Sequence, residues 1–335
     1  MKRALELAQL GTGSVSPNPM VGCVIVCNES IIGEGYHMQY GGPHAEVNAV
    51  NDVSDPALLP NSTAFVTLEP CSHFGKTPPC TDLLIEKKIK RVVIASRDPF
   101  SLVDGKGIEK LESYGITVET GLLQNEAQEQ NRRFFTYHQK KRPYVILKWA
   151  QTSDGYLAKE DGTSKWISGS YSRQWVHKYR ASEDAILVGK NTAQIDNPSL
   201  TVRDWYGKNP TRVLLDSNLD IAGNSEIMND RAPTLIFNLK QSKKAGNKQW
   251  IKVETMTPKP ILEALYHHKI QSVIIEGGAK VLLSFIQEGL WDEAYVFKSK
   301  NKFHQGIEAP SLAPGFIWDE TSIQNDVLTT YRNHG

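Results

Sequence analysis

Cysteine is scarce in this chain: four residues in 335, at Cys23, Cys27, Cys71 and Cys80. That number does not staple a scaffold of this length, and no apolar secretory segment precedes them. Met1-Lys2-Arg3 runs straight into an amphipathic stretch with Leu5, Leu7, Ala8 and Leu10, so no signal peptide is expected. No apolar run approaches the roughly 20 residues that span a bilayer, so no membrane partner is expected. The formal net charge is only +1, which leaves no broad field to draw nucleic acid. An anionic ligand must then be met by local basic residues, which favours a small substrate over a polyanion. No Gly-x-Gly-x-x-Gly follows a strand, and there is no internal repeat or low-complexity tract. The expected compartment is a reducing cytoplasm, where clustered cysteines point to metal binding or catalysis rather than to disulfides.

What is present is an ordinary globular balance, 40% hydrophobic and 22% charged, with length for two domains. The first part alternates strand and helix signals. A helix over 2–11 precedes a strand at 21–27, a turn at Asn28-Glu29-Ser30 and a strand near 31–36. His44 opens a helix running to about Val50. A strand at 63–68, a helix at 81–88, a strand at 91–95, a helix at 106–113 and a strand at 116–119 follow, and one polar helix from about Leu122 to His138 closes this half. Such alternation predicts a sheet between helices, mostly parallel after the opening hairpin. Lys140-Lys141-Arg142-Pro143 marks the boundary, giving domains at 1–141 and 142–335. Beyond it, strands at 144–150, 184–189, 211–216, 233–237, 272–276 and 293–298 interleave with helices at 170–181, 258–268 and 279–288. The polar stretch Asn238–Gln249 reads as a surface excursion.

The sharpest chemical signal is His44-Ala45-Glu46, followed by Pro70-Cys71 and Cys80. One imidazole and two thiolates suit zinc, and a catalytic site leaves the fourth position to water. With two thiolates and a neutral imidazole the site is formally uncharged, so a bound water can ionise near neutral pH. Glu46, two residues from His44 on a first helical turn, can face that water without being a ligand and shuttle its proton to a leaving amine. Pro78-Pro79-Cys80 places Cys80 at a helix start, where exposed amides favour its thiolate. His-Ala-Glu alone is common and two cysteines alone can be core thiols; three pieces together at strand-to-helix junctions weigh for a metal. Cys23 and Cys27 lie on the face of Ile25 in an apolar strand and read as buried thiols.

The pattern of His44-Ala45-Glu46 with Pro70-Cys71 resembles the cytidine deaminase superfamily. Eight residues separate Cys71 from Cys80, against the two that are usual there. This long insert resembles the RibD family of bifunctional riboflavin biosynthesis proteins, as do Pro17-Asn18-Pro19, Gly33-Glu34-Gly35-Tyr36-His37 and Thr67-Leu68-Glu69-Pro70. The resemblance implies one zinc per chain held by His44, Cys71 and Cys80, with Glu46 catalytic. It implies hydrolytic loss of the 2-amino group from a diaminopyrimidinone ribosylamine 5′-phosphate, and substrate contacts at Asn18, His37, Lys76 and Asp98. Phe100 stands where that family usually has Asn, leaving a polar contact to be missing or supplied by Ser101.

In the second half, Ala185–Gly189 and Val273–Gly278 each run from a strand into a glycine turn and a helix, which can admit a phosphate but is more often turn chemistry. Taken alone this supports only a nucleotide-binding α/β domain. Lys148 with Ser153-Asp154-Gly155, Ser164-Lys165-Trp166-Ile167, Asp196–Arg203 and Glu276-Gly277-Gly278 resemble the RibD reductase domain, similar in fold to dihydrofolate reductase and dependent on NADPH. The resemblance implies substrate contacts at Ser164, Arg180, Leu200, Arg203 and Glu276. It implies cofactor contacts at Trp166, Thr192, Asp196, Gly278, Ala279, Lys280 and Ser284, and hydride delivery to C1′ of the opened ribose. Arg180 and Arg203 can clamp the 5′-phosphate. Lys148 is the candidate proton donor, on charge and position. The segment Asn301–Gly306 departs from the family's Gly-Gly pattern. The fold expected is thus two α/β domains, a cytidine deaminase-like α/β/α sandwich before a dihydrofolate reductase-like domain. The main alternative, a zinc deaminase of tRNA adenosine or of a free nucleoside, is disfavoured by the cysteine spacing and the absent basic surplus. A non-catalytic binding protein is disfavoured by the intact His44, Glu46, Cys71 and Cys80. A homo-oligomer stays open.

Overall fold

A computed structural model of the chain describes residues 1–74, 78–100, 103–162, 167–313 and 316–333. It divides into two compact units, Met1–Lys141 and Arg142–Gly335.

The first unit runs α1 (Lys2–Gln9), β1 (Gly22–Cys27), β2 (Ser30–Tyr36), α2 (Ala45–Asn51), β3 (Thr63–Leu68), α3 (Cys80–Glu86), β4 (Arg91–Ser96), α4 (Lys106–Ser113), β5 (Thr117–Thr120), α5 (Gln124–Gln130) and α6 (Arg132–Lys140). Its sheet has the order β2-β1-β3-β4-β5, with β1 antiparallel to both neighbours and β3, β4 and β5 parallel. Side chains alternate across β1 as the pleat requires. Cys23 and Ile25 join Ala45, Ala49, Leu84 and Leu111 on one face, while Val24 and Val26 meet Ala4 and Leu7 on the other. Helices therefore cover both faces. Glycine sets the spacing on the α2 side: a methyl group at Gly35 would lie 2.3 Å from the Ala49 nitrogen and 2.5 Å from the Ala45 oxygen. The backbones of β2 and α2 touch there, and α2 is the helix that carries Glu46.

The polar helix read over 122–138 is two helices. The break falls at Asn131, whose buried side chain accepts from the Met20 amide and donates to the Met20 carbonyl, both at 2.8 Å. Tying a distant loop to this residue outweighs helix continuity.

The second unit runs β6 (Tyr144–Gln151), β7 (Tyr156–Ala158), α7 (Ser170–Ser182), β8 (Ala185–Gly189), α8 (Lys190–Asp196), β9 (Thr211–Leu215), β10 (Thr234–Asn238), β11 (Lys243–Ala245), β12 (Lys248–Lys252), α9 (Pro258–His267), β13 (Ser272–Ile275), α10 (Ala279–Gln287), β14 (Glu293–Lys298), β15 (Ile307–Glu308), β16 (Ile317–Ile323) and β17 (Asp326–Arg332). Its ten-stranded sheet has the order β11-β12-β10-β9-β8-β13-β6-β14-β17-β16. The strands from β12 to β14 in that order are parallel, and β11, β17 and β16 are antiparallel additions at the edges. Leu187 packs with the apolar face of α9 and α10, while Ile186 and Val188 face the layer of Leu200 and Leu214. The stretch expected as a surface excursion over 238–249 does lie at the surface, where it adds the exposed edge strand β11 and enters β12. Lys243 lies over the Trp250 ring at 4.3 Å, a cross-strand cation–π pair that polarity alone does not reveal. Among the described residues no helix is long and apolar enough to cross a membrane.

Gly35→Ala should force α2 off the sheet. The expected cost is roughly 1–3 kcal/mol of stability, as for other overpacked contacts, read as a lower urea midpoint for the first unit. An unchanged midpoint would contradict the backbone contact.

Candidate functional site

In the first unit the three sequence-predicted ligands converge. His44 is the residue that caps α2 at its N-terminus, in extended conformation. Cys71 follows β3 and Pro70, and Cys80 is the first residue of α3. His44 Nδ1 lies 3.3 Å from Cys80 Sγ and 3.6 Å from Cys71 Sγ, and the three donor atoms all lie within 4.8 Å of one another. Tetrahedral zinc, with bonds of about 2.0 Å to nitrogen and 2.3 Å to sulfur, separates two such ligands by about 3.5 Å. The donor set therefore fits zinc in both chemistry and spacing, and the cysteines are unpaired.

The electrostatics favour the ligand forms. The two thiols titrate as a pair: the hydrogen bond from Cys80 pulls Cys71 down to about 4 against its burial, helped by His44 and the Cys80 amide, which donates to Cys71 Sγ at 3.3 Å. The same hydrogen bond, with burial, pushes Cys80 up. Glu46 sits on the first turn of α2 and is buried. Burial foremost, then the Cys71 charge, raises its carboxyl above the usual range, suiting it to hold a proton and pass it on. By contrast Cys23 and Cys27 are buried in β1, and burial holds the Cys23 thiol protonated.

Around the cluster, His37 packs edge-on against His44 with ring centroids 5.4 Å apart. Both its ring nitrogens are engaged: Nδ1 with the Pro43 carbonyl at 3.0 Å, and Nε2 with the Asn18 carboxamide nitrogen at 3.1 Å. As Nδ1 donates, Nε2 accepts, so the Asn18 amide directs its N–H at His37 and its oxygen away from the ring. Burial, more than the Asp98–Phe100 amide bond can offset, lifts the Asp98 carboxyl to about 7, with Glu69 adding to the rise. Phe100, at the position where Asn was expected, packs against His73 (6.0 Å) and His138 (5.1 Å). Lys76 and Ser101 lie outside the described residues.

Sequence reading assigned no role to Glu69, yet its buried carboxylate organises the loop. It accepts from the amides of Gly105 and Gly107 at 3.0 Å and of Asp98 and Ile108 at 3.3 Å. Four amides on one carboxylate tie the residue two before Cys71 to the start of α4.

The second unit holds a cavity of about 870 Å³ lined by Lys148, His177, Arg180, Thr192, Asp196, Leu200, Arg203, Glu276, Gly278, Ala279, Lys280 and Ser284. It brings together every predicted reductase residue that is described; Ser164 and Trp166 lie outside the described residues. Glu276 follows β13 directly. Arg180 grips its carboxylate with Nε and Nη2 at 2.9 and 2.7 Å, and Lys148 Nζ lies 3.8 Å away. Burial pushes Glu276 up, but Arg180 and Lys148 outweigh it and hold the group at about 2. Burial also lowers Lys148, aided by Arg180 and opposed by Glu276. One edge of the Arg180 guanidinium, Nε with Nη2, is thus engaged by Glu276, whereas the exposed Arg203 guanidinium rests on Ser199 and Thr201 hydroxyls. At the far wall, a methyl group at Gly277 would lie 3.0 Å from Thr192 Oγ1, and Gly278 turns at φ +69°. That bare turn ahead of α10 offers room for a phosphate-bearing group.

A family model described as the cytidine and deoxycytidylate deaminase zinc-binding region matches residues 1–96, and the RibD C-terminal domain matches residues 143–298. The riboflavin biosynthesis protein RibD of Aquifex aeolicus is 43% identical over 331 residues, covering 97% of this chain and 92% of the relative. That of Bacillus amyloliquefaciens is 44% identical over 326 residues, covering 94% and 87%. A solved diaminohydroxyphosphoribosylaminopyrimidine deaminase/5-amino-6-(5-phosphoribosylamino)uracil reductase from Thermotoga maritima superposes with a TM-score of 0.90 at 39% identity, covering 99% of this chain and 97% of that one. Acinetobacter baumannii RibD superposes at 0.89 with 33% identity and the same coverage.

Purified protein should carry about one zinc per chain, lost in both Cys71→Ser and Cys80→Ser. Glu46→Gln should keep the metal and lose ammonia release by roughly 10² or more. Zinc retained in both cysteine variants would refute the ligand set, and near-normal turnover of Glu46→Gln would refute the proton shuttle.

Proposed function

Because the chain belongs to the RibD family, we propose that its two activities divide between its two units, deamination at the His44–Cys71–Cys80 cluster and reduction in the cavity around Glu276. The chain is a bifunctional deaminase and reductase of riboflavin biosynthesis. Its first reaction is hydrolytic deamination of 2,5-diamino-6-ribosylamino-4(3H)-pyrimidinone 5′-phosphate. Its second reduces the ribosyl to the ribityl side chain, giving 5-amino-6-ribitylamino-uracil 5′-phosphate.

The observation that carries the deaminase assignment is the convergence of one imidazole and two sulfurs beside a buried carboxylate whose proton affinity burial raises. His44, Cys71 and Cys80 would hold zinc, which would supply a Lewis acid that lowers the pKa of water. Glu46 then takes a proton from the attacking water and returns it to the exocyclic nitrogen, which leaves as ammonia. Asn18 offers its carboxamide oxygen to a ring N–H, with His37 fixing the direction of that amide. Asp98 and Lys76 complete the substrate contacts in this reading, the lysine as a point charge for the phosphate.

For the reductase, NADPH supplies the hydride when bound. Thr192, Asp196, the Gly278-Ala279 turn, Lys280, Ser284 and Trp166 are assigned to it, and the Gly277–Gly278 turn, which lines the cavity and lies too close to Thr192 for a side chain on Gly277, supports that assignment. Ser164, Arg180, Leu200, Arg203 and Glu276 are assigned to the substrate, Arg203 to its phosphate. Reduction requires the C1′–O4′ bond to break, with a proton reaching O4′ and a hydride reaching C1′. Lys148, its ammonium made more acidic by burial and held beside Glu276, suits the proton donor. Arg180 keeps Glu276 ionised. The four unpaired thiols fit a reducing cytoplasm.

Given the diaminopyrimidinone phosphate, the protein should release ammonia without any nicotinamide cofactor and consume NADPH only afterwards. Arg203→Ala should slow NADPH oxidation about 10–100-fold, the loss of a charge-assisted contact, while ammonia release continues at its original rate. A parallel fall in both activities would show that the sites are not separate.

A further inference from the structure

The loop between α8 and β9 carries Leu200 and Arg203, and its backbone is held in an unfavourable shape. Asn197 and Leu200 adopt φ of +41° and +52°, the left-handed region that disfavours a branched, bulky side chain such as leucine. Leu200 is nonetheless buried. Conformations of this kind persist only where surrounding contacts impose them. Several contacts do so here. The Val202 amide donates to the Asn209 carboxamide oxygen at 2.8 Å, and the Thr201 carbonyl faces Arg180 Nη1 at 3.5 Å.

The contact nearest the functional end of the loop comes from His177. This side chain is 4% exposed, lines the cavity, and lies one helical turn before Arg180 on the inward side of α7. Its Nδ1 accepts the backbone N–H of Arg203 at 3.2 Å, and its Nε2 faces Asp204 at 3.6 Å. The amide can only donate, so Nδ1 must be unprotonated and the ring proton must sit on Nε2. Sequence reading assigned no role to His177.

We propose that His177 is a positioning residue of the reductase, whose Nδ1 fixes the backbone of Arg203 and so aims that guanidinium at the phosphate of the substrate. The proposal rests on the assignment of Arg203 to the phosphate. The surroundings keep the imidazole in the accepting form: burial lowers its pKa to about 4, and Arg180 and Arg203 lower it further than Asp204 and Glu276 raise it. The acceptor is therefore available throughout the neutral range.

The two ring nitrogens can be mimicked separately. His177→Asn keeps an acceptor at the δ position, and His177→Gln moves it one bond outward. The readout is the ratio of affinities for the ribosylaminopyrimidine phosphate and for its phosphate-free counterpart, measured by calorimetry without cofactor, alongside NADPH affinity and a melting curve. In His177→Gln the preference for the phosphorylated ligand should fall roughly tenfold, the scale of a lost buried hydrogen bond. NADPH affinity should hold, and His177→Asn should recover most of the loss. If His177→Gln weakens both ligands equally, weakens NADPH in parallel, or changes nothing, the proposal is overturned. Equal loss in the Asn and Gln variants overturns it too. Arg203→Ala separates the premise: loss of phosphate preference there, with His177→Gln unaffected, removes only the role of His177. Preference retained in Arg203→Ala removes the assignment beneath it.

Discussion

Both units bury ionisable groups just past the ends of strands, and the cost of taking charge out of water is the constraint that shapes the surroundings. In the first unit Glu69 meets this constraint with four backbone amides, drawing the approach to Cys71 against the start of α4. In the second, Glu276 meets it with Arg180 and Lys148. Arg212, with no exposed surface at all, meets it with the Thr234 hydroxyl and a ring of carbonyl and carboxamide oxygens from the 226–232 segment. The Arg142–Asp292 pair repeats the device at the start of β6, where Asp292 also accepts the Val145 amide. Loops that satisfy buried charge in this way have little freedom to rearrange, which is the condition a preorganised site needs.

The two sites use this rigidity differently. The deaminase cluster concentrates three donors onto one point, so its geometry is set by short segments: the cap of α2, the turn after β3 and the start of α3. The reductase cavity is broad and gathers residues from β6, α7, β8, α8, the turn after β13 and α10. Its electrostatics are a balance in which Glu276 is the carboxylate between Arg180 and Lys148, with Arg203, Lys190 and Lys280 also on the wall. A cavity rich in cations suits ligands that carry phosphates, and Lys190 is itself steadied by Asp220 at 2.7 Å.

The legibility of these features in the sequence follows the range of the interactions behind them. His44, Glu46, Cys71 and Cys80 were readable because metal chemistry demands specific residue types, and each falls at a strand-to-helix junction visible in local pattern. The strands flanking Gly189 and Gly277 were readable for the same reason, being apolar runs ended by turn residues. What escaped was decided by partners far along the chain. Asn131 breaks a helix because of Met20; the polar run before Lys248 becomes strand because Trp250 lies opposite Lys243. The hairpin of β16 and β17 is mostly exposed on β16 and has no apolar alternation to announce it. Arg180 was expected on the substrate, and no local signal tells that one edge of its guanidinium also pairs with Glu276, 96 residues away.

The segregation of the four thiols has a redox consequence. Cys23 and Cys27 are sealed in β1, while Cys71 is partly exposed and ionises readily. Of the four thiols, an oxidant therefore reaches a metal ligand first. Zinc binding and oxidation would compete for the same sulfur, so metal at this site would also shield its thiolates.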